Sequence, residues 1–369
     1  MDRPAPLTGP PRTGSAERRG PIRVMIVDDS LVARTVLSRI IEAEADCEIV
    51  AKATTGEMAI VRLGEMAVDV ILLDLEMPGM GGIGALPKIL ALAGSGQVLV
   101  VSSLTAEGAE HTLEALSMGA ADTLLKPRAG EFDADYGRAL IGKIRALAGP
   151  QRISGNPPPA TPPPTLRRNP PRAEPRALAI GASTGGIHAL CLLLGALPKS
   201  FDLPIFVVQH LPESFMGTLA RQLSAASGRS AVVADAGTIA EPGRIHVAPG
   251  DGHMIVRRAG FGLVTGVARH AVPSGCTPSV DPLFESLADA AGGQAIGVVL
   301  SGMGRDGVLG AARLVEAGGT IFAQDAATAA VWGMPRAVTE AGLATAVLPP
   351  EQIAARLAAM TVTSEARWA

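Results

Sequence analysis

Leu178-Ala-Ile-Gly-Ala-Ser183-Thr-Gly-Gly186 runs from an apolar segment into a glycine-bracketed serine, and residues 187–197 then read as a helix. Strand, tight turn and helix make up the repeating unit of a parallel α/β sheet. Such a turn lifts a hydroxyl above the sheet edge and sets backbone N–H groups of the helix start beside it. Gly181, Gly185 and Gly186 suit the turn, because glycine tolerates positive φ and close backbone approach. Two chemistries fit the pattern, a nucleophilic serine or a phosphate-cradling loop. A dinucleotide site expects an acidic residue at the end of the next strand. The next apolar run, Pro204–Gln209, ends instead in His210, which favours the nucleophile.

A chain of 369 residues has room for two domains, each able to bury a core. No apolar run approaches the roughly 20 residues of a membrane span. Residues 1–21 are rich in Pro, Gly and Arg without an apolar centre, so they read as a disordered tail and not a signal peptide. Cys47, Cys191 and Cys276 lie far apart without metal-ligand spacing, which fits buried thiols in a reducing cytoplasm. Residues 22–148 carry 11 Lys/Arg against 18 Asp/Glu, and residues 176–369 carry 13 against 14. Neither half has the basic stripe of a nucleic-acid-binding domain, which argues against a transcription factor.

From residue 22, short apolar runs alternate with helix-length segments. Strands are expected at 23–27, 49–51, 70–73, 98–101 and 123–125, and helices at 31–44, 56–65, 83–93, 107–118 and 136–147. Five such repeats imply a doubly wound five-stranded parallel sheet, whose ligands bind at the carboxyl ends of the strands. Those ends carry Asp28-Asp29, Asp74, Ser102-Ser103 and Lys126-Pro127. Converging carboxylates form a hard oxygen site suited to Mg²⁺, and a lysine and a hydroxyl nearby can hold a phosphoryl group on the same metal. Helix capping explains Asp28 or Asp29 singly, but not acids at two strand ends with Lys-Pro at a third.

Residues 149–175 hold ten prolines, including two Pro-Pro-Pro runs, and read as a stiff linker. Residues 176–362 again alternate strands and helices, and residues 363–369 read as a tail. After the serine turn come a strand at 205–209 and a helix opened by Pro212-Glu213. A broken region at 231–265 has short strands at 245–248, 254–257 and 262–265, with a hairpin beside the main sheet. Then follow a helix at 281–291, a buried strand at 295–300, the loop Ser301-Gly-Met-Gly-Arg-Asp306-Gly307, and strands at 320–323 and 345–348.

Ser183, His210 and Asp306 each follow a buried strand, so one rim can bring them together as nucleophile, general base and orienting carboxylate. Backbone N–H groups near Gly185 or in the loop 302–304 can serve an oxyanion. Alternatives stay open: Asp306 can be only the cap of a helix running to Ala317, and His188, His246, His253 and His270 compete. An α/β-hydrolase elbow, matched by Gly181 to Gly185, expects the order Ser, Asp/Glu, His, which Asp235 or Asp251 with His270 satisfies.

Val27-Asp28-Asp29-Ser30, Leu72-Leu73-Asp74-Leu75-Glu76-Met77-Pro78 and Leu125-Lys126-Pro127 resemble a two-component receiver domain of flavodoxin-like fold. The resemblance implies Asp74 as phospho-acceptor, Asp28, Asp29 and Asp74 as the Mg²⁺ site, Ser102 as switch hydroxyl and Lys126 as phosphoryl-sensing lysine. Thr123 stands where the family usually has an aromatic residue, which puts the aromatic part of its switch in doubt.

Ile180-Gly-Ala-Ser-Thr-Gly-Gly186, Gln209-His-Leu-Pro212, Val247-Ala-Pro-Gly250, Pro278-Ser-Val-Asp281, Leu300-Ser-Gly-Met-Gly-Arg-Asp-Gly307 and Trp332-Gly-Met-Pro-Arg336 resemble the chemotaxis protein-glutamate methylesterase/protein-glutamine glutaminase family. A receiver in front is that family's own domain order, and its catalytic domain is Rossmann-like with a mostly parallel sheet. The resemblance implies Ser183, His210 and Asp306 as catalytic residues and an oxyanion region at Thr184 and Met303. It implies hydrolysis of glutamate methyl esters on chemoreceptors, deamidation of glutamines by the same acyl transfer, and a chemotaxis histidine kinase as phosphodonor. Ester hydrolysis is expected to need no cofactor. The unphosphorylated receiver is expected to cover the active-site cleft. A non-catalytic receptor-binding adaptor, and an esterase of a non-flagellar chemosensory array, are the alternatives.

Overall fold

The computed structural model describes residues 20–102, 106–126, 133–149, 174–260 and 262–361. The expected tails up to residue 19 and from 363, linker residues 150–173, Ser103 and Pro127 lie outside the described residues.

The first five strands are β1 (Ile22–Val27), β2 (Cys47–Ala53), β3 (Val70–Asp74), β4 (Gln97–Ser102) and β5 (Asp122–Leu125). They alternate with α1 (Leu31–Glu42), α2 (Gly56–Glu65), α3 (Gly81–Ala93), α4 (Ala106–Met118) and α5 (Ala134–Ala148). The sheet order is β2-β1-β3-β4-β5, with every pairing parallel. The strands are continuous apolar runs because helices cover both faces: every residue of β3 is buried. Ser30, Thr55 and Asp133 start α1, α2 and α5 by accepting from the amides of Ala33, Met58 and Tyr136, so short polar side chains fix where strand ends and helix begins.

The second sheet contains β6 (Ala177–Ala182), β7 (Ile205–Gln209), β8 (Ala231–Val233), β9 (Ile245–Val247), β12 (Ala295–Val299), β13 (Thr320–Gln324) and β14 (Ala346–Leu348). Its order is β14-β13-β12-β6-β7-β9-β8. All six pairings are parallel, so the sheet is more uniform than the mostly parallel one expected. The segment near 245, expected in the broken region, belongs to the main sheet. The hairpin β10 (His253–Ala259) and β11 (Gly262–Ala268) forms a two-stranded antiparallel sheet of its own. It is held to α8 (Val280–Ala291) by Val256 N–H donating to Ser286 Oγ at 3.0 Å and by the Arg258 guanidinium on the Ala290 carbonyl.

The remaining helices are α6 (Gly186–Ala196), α7 (Glu213–Ser227), α9 (Val308–Glu316), α10 (Met334–Glu340) and α11 (Pro350–Thr361). Strand β8 and helices α10 and α11 were not anticipated. Three residues of β8, all half-buried, are too short a run to carry a period.

His246 is the costly residue of this core. It sits on β9 with no accessible surface, both ring nitrogens lack a partner, and the Phe206 ring lies 5.5 Å away. Burial pushes its pKa down to about 4; Arg244 adds to the shift and Glu241 opposes it. The folded chain therefore keeps His246 neutral while the unfolded chain protonates it below pH 6.5. This contribution to stability is present above pH 6.5 and is lost as the pH falls towards 4. Relative to His246→Leu, the wild type should lose about 1–3 kcal/mol between pH 7 and pH 4. Denaturant unfolding of both proteins across that range checks it; parallel curves would contradict it.

Candidate active site

Strand order brings the chemistry together. β12, β6 and β7 are adjacent in the sheet, and Ser183 and His210 are the first residues after β6 and β7. The loop after β12 carries Asp306 to the same rim. His210 N–H bonds the Ala182 carbonyl at 3.1 Å, and Gln209 Nε2 donates to the Ser183 carbonyl at 2.9 Å. Glycine is required at two places. Gly185 has φ 75°, and a Cβ there would lie 2.5 Å from Ala330 Cβ. A Cβ on Gly302 would lie 2.4 Å from Met334 Sδ and 2.9 Å from Ser183 Cβ, so its absence lets the 300–306 loop close against the serine.

Asp306 is 2% exposed and fully partnered. Its Oδ2 accepts from His210 Nε2 at 2.8 Å and from the Val280 amide at 2.7 Å, and its Oδ1 accepts from Ser279 Oγ at 2.7 Å. Burial of the His210 ring opposes protonation, but the Asp306 carboxylate and the neighbouring Cys276 together outweigh it and hold the histidine above its ordinary value. Burial likewise penalises the Asp306 anion, and bonding to His210 overcomes this and holds the carboxyl down. The pair is a preformed histidine–carboxylate contact that favours a proton on the nitrogen facing Asp306.

Asp306 does not cap the following helix. Gly307, with φ 87°, is the N-cap of α9 and makes no side-chain bond, which leaves the carboxylate free for His210. Ser183 is half-buried, and among the described residues no hydrogen bond joins its hydroxyl to His210. Asp235 and Asp251 are exposed; Asp251 pairs with Arg269, and exposed His270 supplies only its carbonyl, to His253 Nε2. His188 bonds the Ser117 carbonyl. The alternative triad is therefore not assembled.

Sequence reasoning missed several supports. Ser279 and the Val280 amide hold Asp306, Asp281 accepts from Gly310 N–H at 2.8 Å, and Ser301 Oγ donates to the Thr184 carbonyl at 2.7 Å. Cys276 lies close to the pair: one ligand-capable atom from each of His210, Cys276 and Asp306 lies within 4.8 Å of the others. The motifs Pro278-Ser-Val-Asp281 and Leu300-Ser-Gly held a signal for the first three. Nothing in its spacing marked Cys276.

In the first domain Asp28, Asp29 and Asp74 also place one oxygen each within 4.8 Å of the others. Lys126 Nζ lies 2.6 Å from Asp74 Oδ2 and 3.0 Å from Asp28 Oδ2. The second contact is ionic only, since Asp28 Oδ2 is buried without a hydrogen bond. Burial raises the Asp74 carboxyl, against the pull of Lys126. Three oxygen donors, one of them an orphan, fit Mg²⁺. Ser102 Oγ lies 3.4 Å from Thr123 Oγ1, so the position that is usually aromatic in receivers here pairs hydroxyl to hydroxyl with Ser102.

The two domains meet at the serine turn. Gly185 N–H donates to the Ala121 carbonyl at 2.5 Å, and Thr184 Oγ1 donates to Asp122 Oδ2 at 2.6 Å. Lys143 Nζ holds the same Asp122 oxygen at 2.5 Å. Around this contact α4 packs on α6 and α7, Arg221 pairs with Glu110 at 2.8 Å, and Val331 joins the apolar cluster of the first domain. A cleft of about 730 Å³ remains between α5 and the second domain, lined by Arg145, Met303, Arg305, Trp332 and Arg336 among others. Thr184 thus contacts the first domain, while the Met303 side chain stands half exposed at the cleft.

Asp306→Asn should remove the carboxylate's share of what raises His210, leaving burial opposed only by Cys276. Its pKa, about 9 in the wild type, should fall by at least about one unit. NMR titration of the ring protons measures this; an unchanged value would mean that Asp306 does not hold the histidine.

Residues 24–132 match the response regulator receiver domain, and residues 178–357 match the CheB methylesterase. The chain is 48% identical over 342 residues to protein-glutamate methylesterase/protein-glutamine glutaminase 2 of Caulobacter vibrioides, covering 90% of this chain and 96% of that one. It is 40% identical over 377 residues to the protein-glutamate methylesterase/protein-glutamine glutaminase of Azospirillum brasilense, covering 95% and 94%. The crystal structure of the Thermotoga maritima CheB methylesterase catalytic domain aligns with 34% identity and a TM-score of 0.49, over 51% of this chain and 100% of that one. With Ser183, His210 and Asp306 on one rim beneath a receiver, the chain belongs to the family of protein-glutamate methylesterases/protein-glutamine glutaminases.

Proposed function

We propose that this chain is a phosphorylation-regulated serine hydrolase that removes methyl esters from glutamate side chains of chemoreceptors. The carrying observation is the His210–Asp306 pair on the rim that also holds the Ser183 turn. Ser183 Oγ attacks the ester carbonyl and passes its proton to the His210 nitrogen not bonded to Asp306. The tetrahedral oxyanion draws on backbone N–H groups at the turn, Gly185 foremost, beside Thr184 and Met303. Methanol leaves with the proton from His210. Water, deprotonated by the same histidine, then hydrolyses the acyl-serine to a glutamate. A glutamine follows the same course with ammonia as leaving group, which gives the glutaminase reaction. No step of the hydrolysis draws on a metal.

The receiver controls this chemistry by occupying its donors. Ala121 holds the Gly185 N–H that an oxyanion needs, and Asp122 holds Thr184. Asp74 accepts a phosphoryl group from a chemotaxis histidine kinase. Asp28, Asp29 and Asp74 would hold Mg²⁺, which supplies charge neutralisation to that transfer, while Lys126 steadies the phosphoryl oxygens. Ser102 then turns to the phosphoryl group and leaves Thr123. Thr123 adjoins Asp122, so the rearrangement reaches the latch without an aromatic side chain. Phosphorylation shifts the population towards an uncovered rim. No helix among the described residues is long and apolar enough to cross a membrane, and the substrate is the cytoplasmic part of its receptor.

Methanol release from methylated receptor membranes tests both halves. Ser183→Ala should lower it by at least about 10³-fold. A small phosphodonor with Mg²⁺ should stimulate wild type but not Asp74→Ala. Asp122→Ala, or deletion of residues 1–175, should raise the basal rate several-fold. A basal rate unchanged by both would refute occlusion, and full release from Ser183→Ala would refute the serine mechanism.

A further inference from the structure

We propose that His210, Cys276 and Asp306 form a binding site for Zn²⁺, or a cation of similar softness, and that its occupation shuts off the hydrolase. Binding stands on the geometry alone; the inhibition rests on the function proposed above. The three ligand-capable atoms lie within 4.8 Å of one another. A tetrahedral zinc site holds neighbouring ligand atoms roughly 3.5 Å apart, so a small closure of the Cys276 side chain, with the ion replacing the proton in the 2.8 Å His210–Asp306 hydrogen bond, completes three of its four positions. That side chain has the freedom to close: Cys276 is half-buried in a loop whose neighbours Ser274, Gly275 and Thr277 are exposed.

The donor set selects the metal. Imidazole, thiolate and carboxylate together carry two negative charges against Zn²⁺, and a thiolate discriminates against Mg²⁺. The all-oxygen cluster of Asp28, Asp29 and Asp74 has the opposite preference, so one chain carries a hard and a soft site. Outer contacts needed to orient the carboxylate are in place, from Ser279 Oγ on Oδ1 and from the Val280 amide on Oδ2. Binding forms Zn–S, Zn–N and Zn–O bonds; the thiol proton leaves to solvent, and the proton displaced from His210 Nε2 is taken up on Nδ1. Water completes the fourth position. Zn²⁺ takes the Nε2 position that faces Asp306 and the ring keeps its proton on Nδ1, so no lone pair is left to take the Ser183 proton; attack on the ester stops while the serine itself stays intact.

The test uses the full-length protein with Mg²⁺ in excess, which keeps the oxygen site supplied. Co²⁺ is added as a spectroscopic substitute, and methanol release is measured against rising Zn²⁺. Wild type should show a near-ultraviolet thiolate-to-cobalt band that Cys276→Ser lacks. The Zn²⁺ concentration that halves methanol release should rise at least tenfold in Cys276→Ser, each protein being compared with its own metal-free rate. Cys191→Ser, which removes a thiol outside the cluster, should keep the band and the wild-type midpoint. Absence of the band in wild type, its persistence in Cys276→Ser, or equal midpoints would overturn the proposal. If neither protein releases methanol, the functional reading fails, and the cobalt band alone decides whether the site exists.

Discussion

A carboxylate taken out of water must find compensating donors, and at Asp306 that requirement ties the second domain together. Its oxygens gather the ring of His210 from the end of β7 and the hydroxyl and amide of Ser279 and Val280 from the start of α8. An unpartnered buried charge would cost several kcal/mol, so these three segments are fixed relative to one another whenever the domain is folded. The same bonds keep the imidazole oriented and raise its proton affinity. Fold stability and readiness for proton transfer therefore come from one contact.

The serine side of the site depends on backbone approach. Gly302 lets the Asp306 loop lie against Ser183, and Gly185 lets the turn pass Ala330 and Ser301. Because the turn points the Gly185 N–H outward, whatever covers the rim can bond to it. In this state the cover is the receiver, whose Ala121 carbonyl accepts from Gly185. Under the function proposed above, the carbonyl sits on a donor that a developing oxyanion would use, so a covered rim would block both space and electrostatics. Asp122, shared between Thr184 and Lys143, fastens the same contact from the next residue.

Much of this was legible in the chain itself. The receiver elements follow apolar runs that end in acids, and the serine, histidine and aspartate follow strands that proved to be neighbours. What local sequence could not carry was partnership across distance. Asp306 reads from sequence as the orienting carboxylate, with a helix cap as the alternative; only the fold reveals that Gly307 takes the cap position and that Val280, 26 residues away, also claims the carboxylate. Cys276 has no ligand spacing, since its companions come from two other loops. Thr123 was recognisable as a departure, but its hydroxyl pairing with Ser102 was not. Short elements such as β8 were hidden for a simpler reason, having too few residues to express a period.

The central claim is that the receiver holds the donors of the serine turn and that phosphorylation of Asp74 frees them. Amide hydrogen exchange at Thr184, Gly185 and Gly186 reads this most directly, measured with and without a phosphodonor and Mg²⁺. The account predicts that the Gly185 amide, protected by the Ala121 carbonyl, exchanges at least tenfold faster after phosphorylation, while the interior of β6 stays protected. Unchanged protection of Gly185 in a fully phosphorylated and active protein would contradict it.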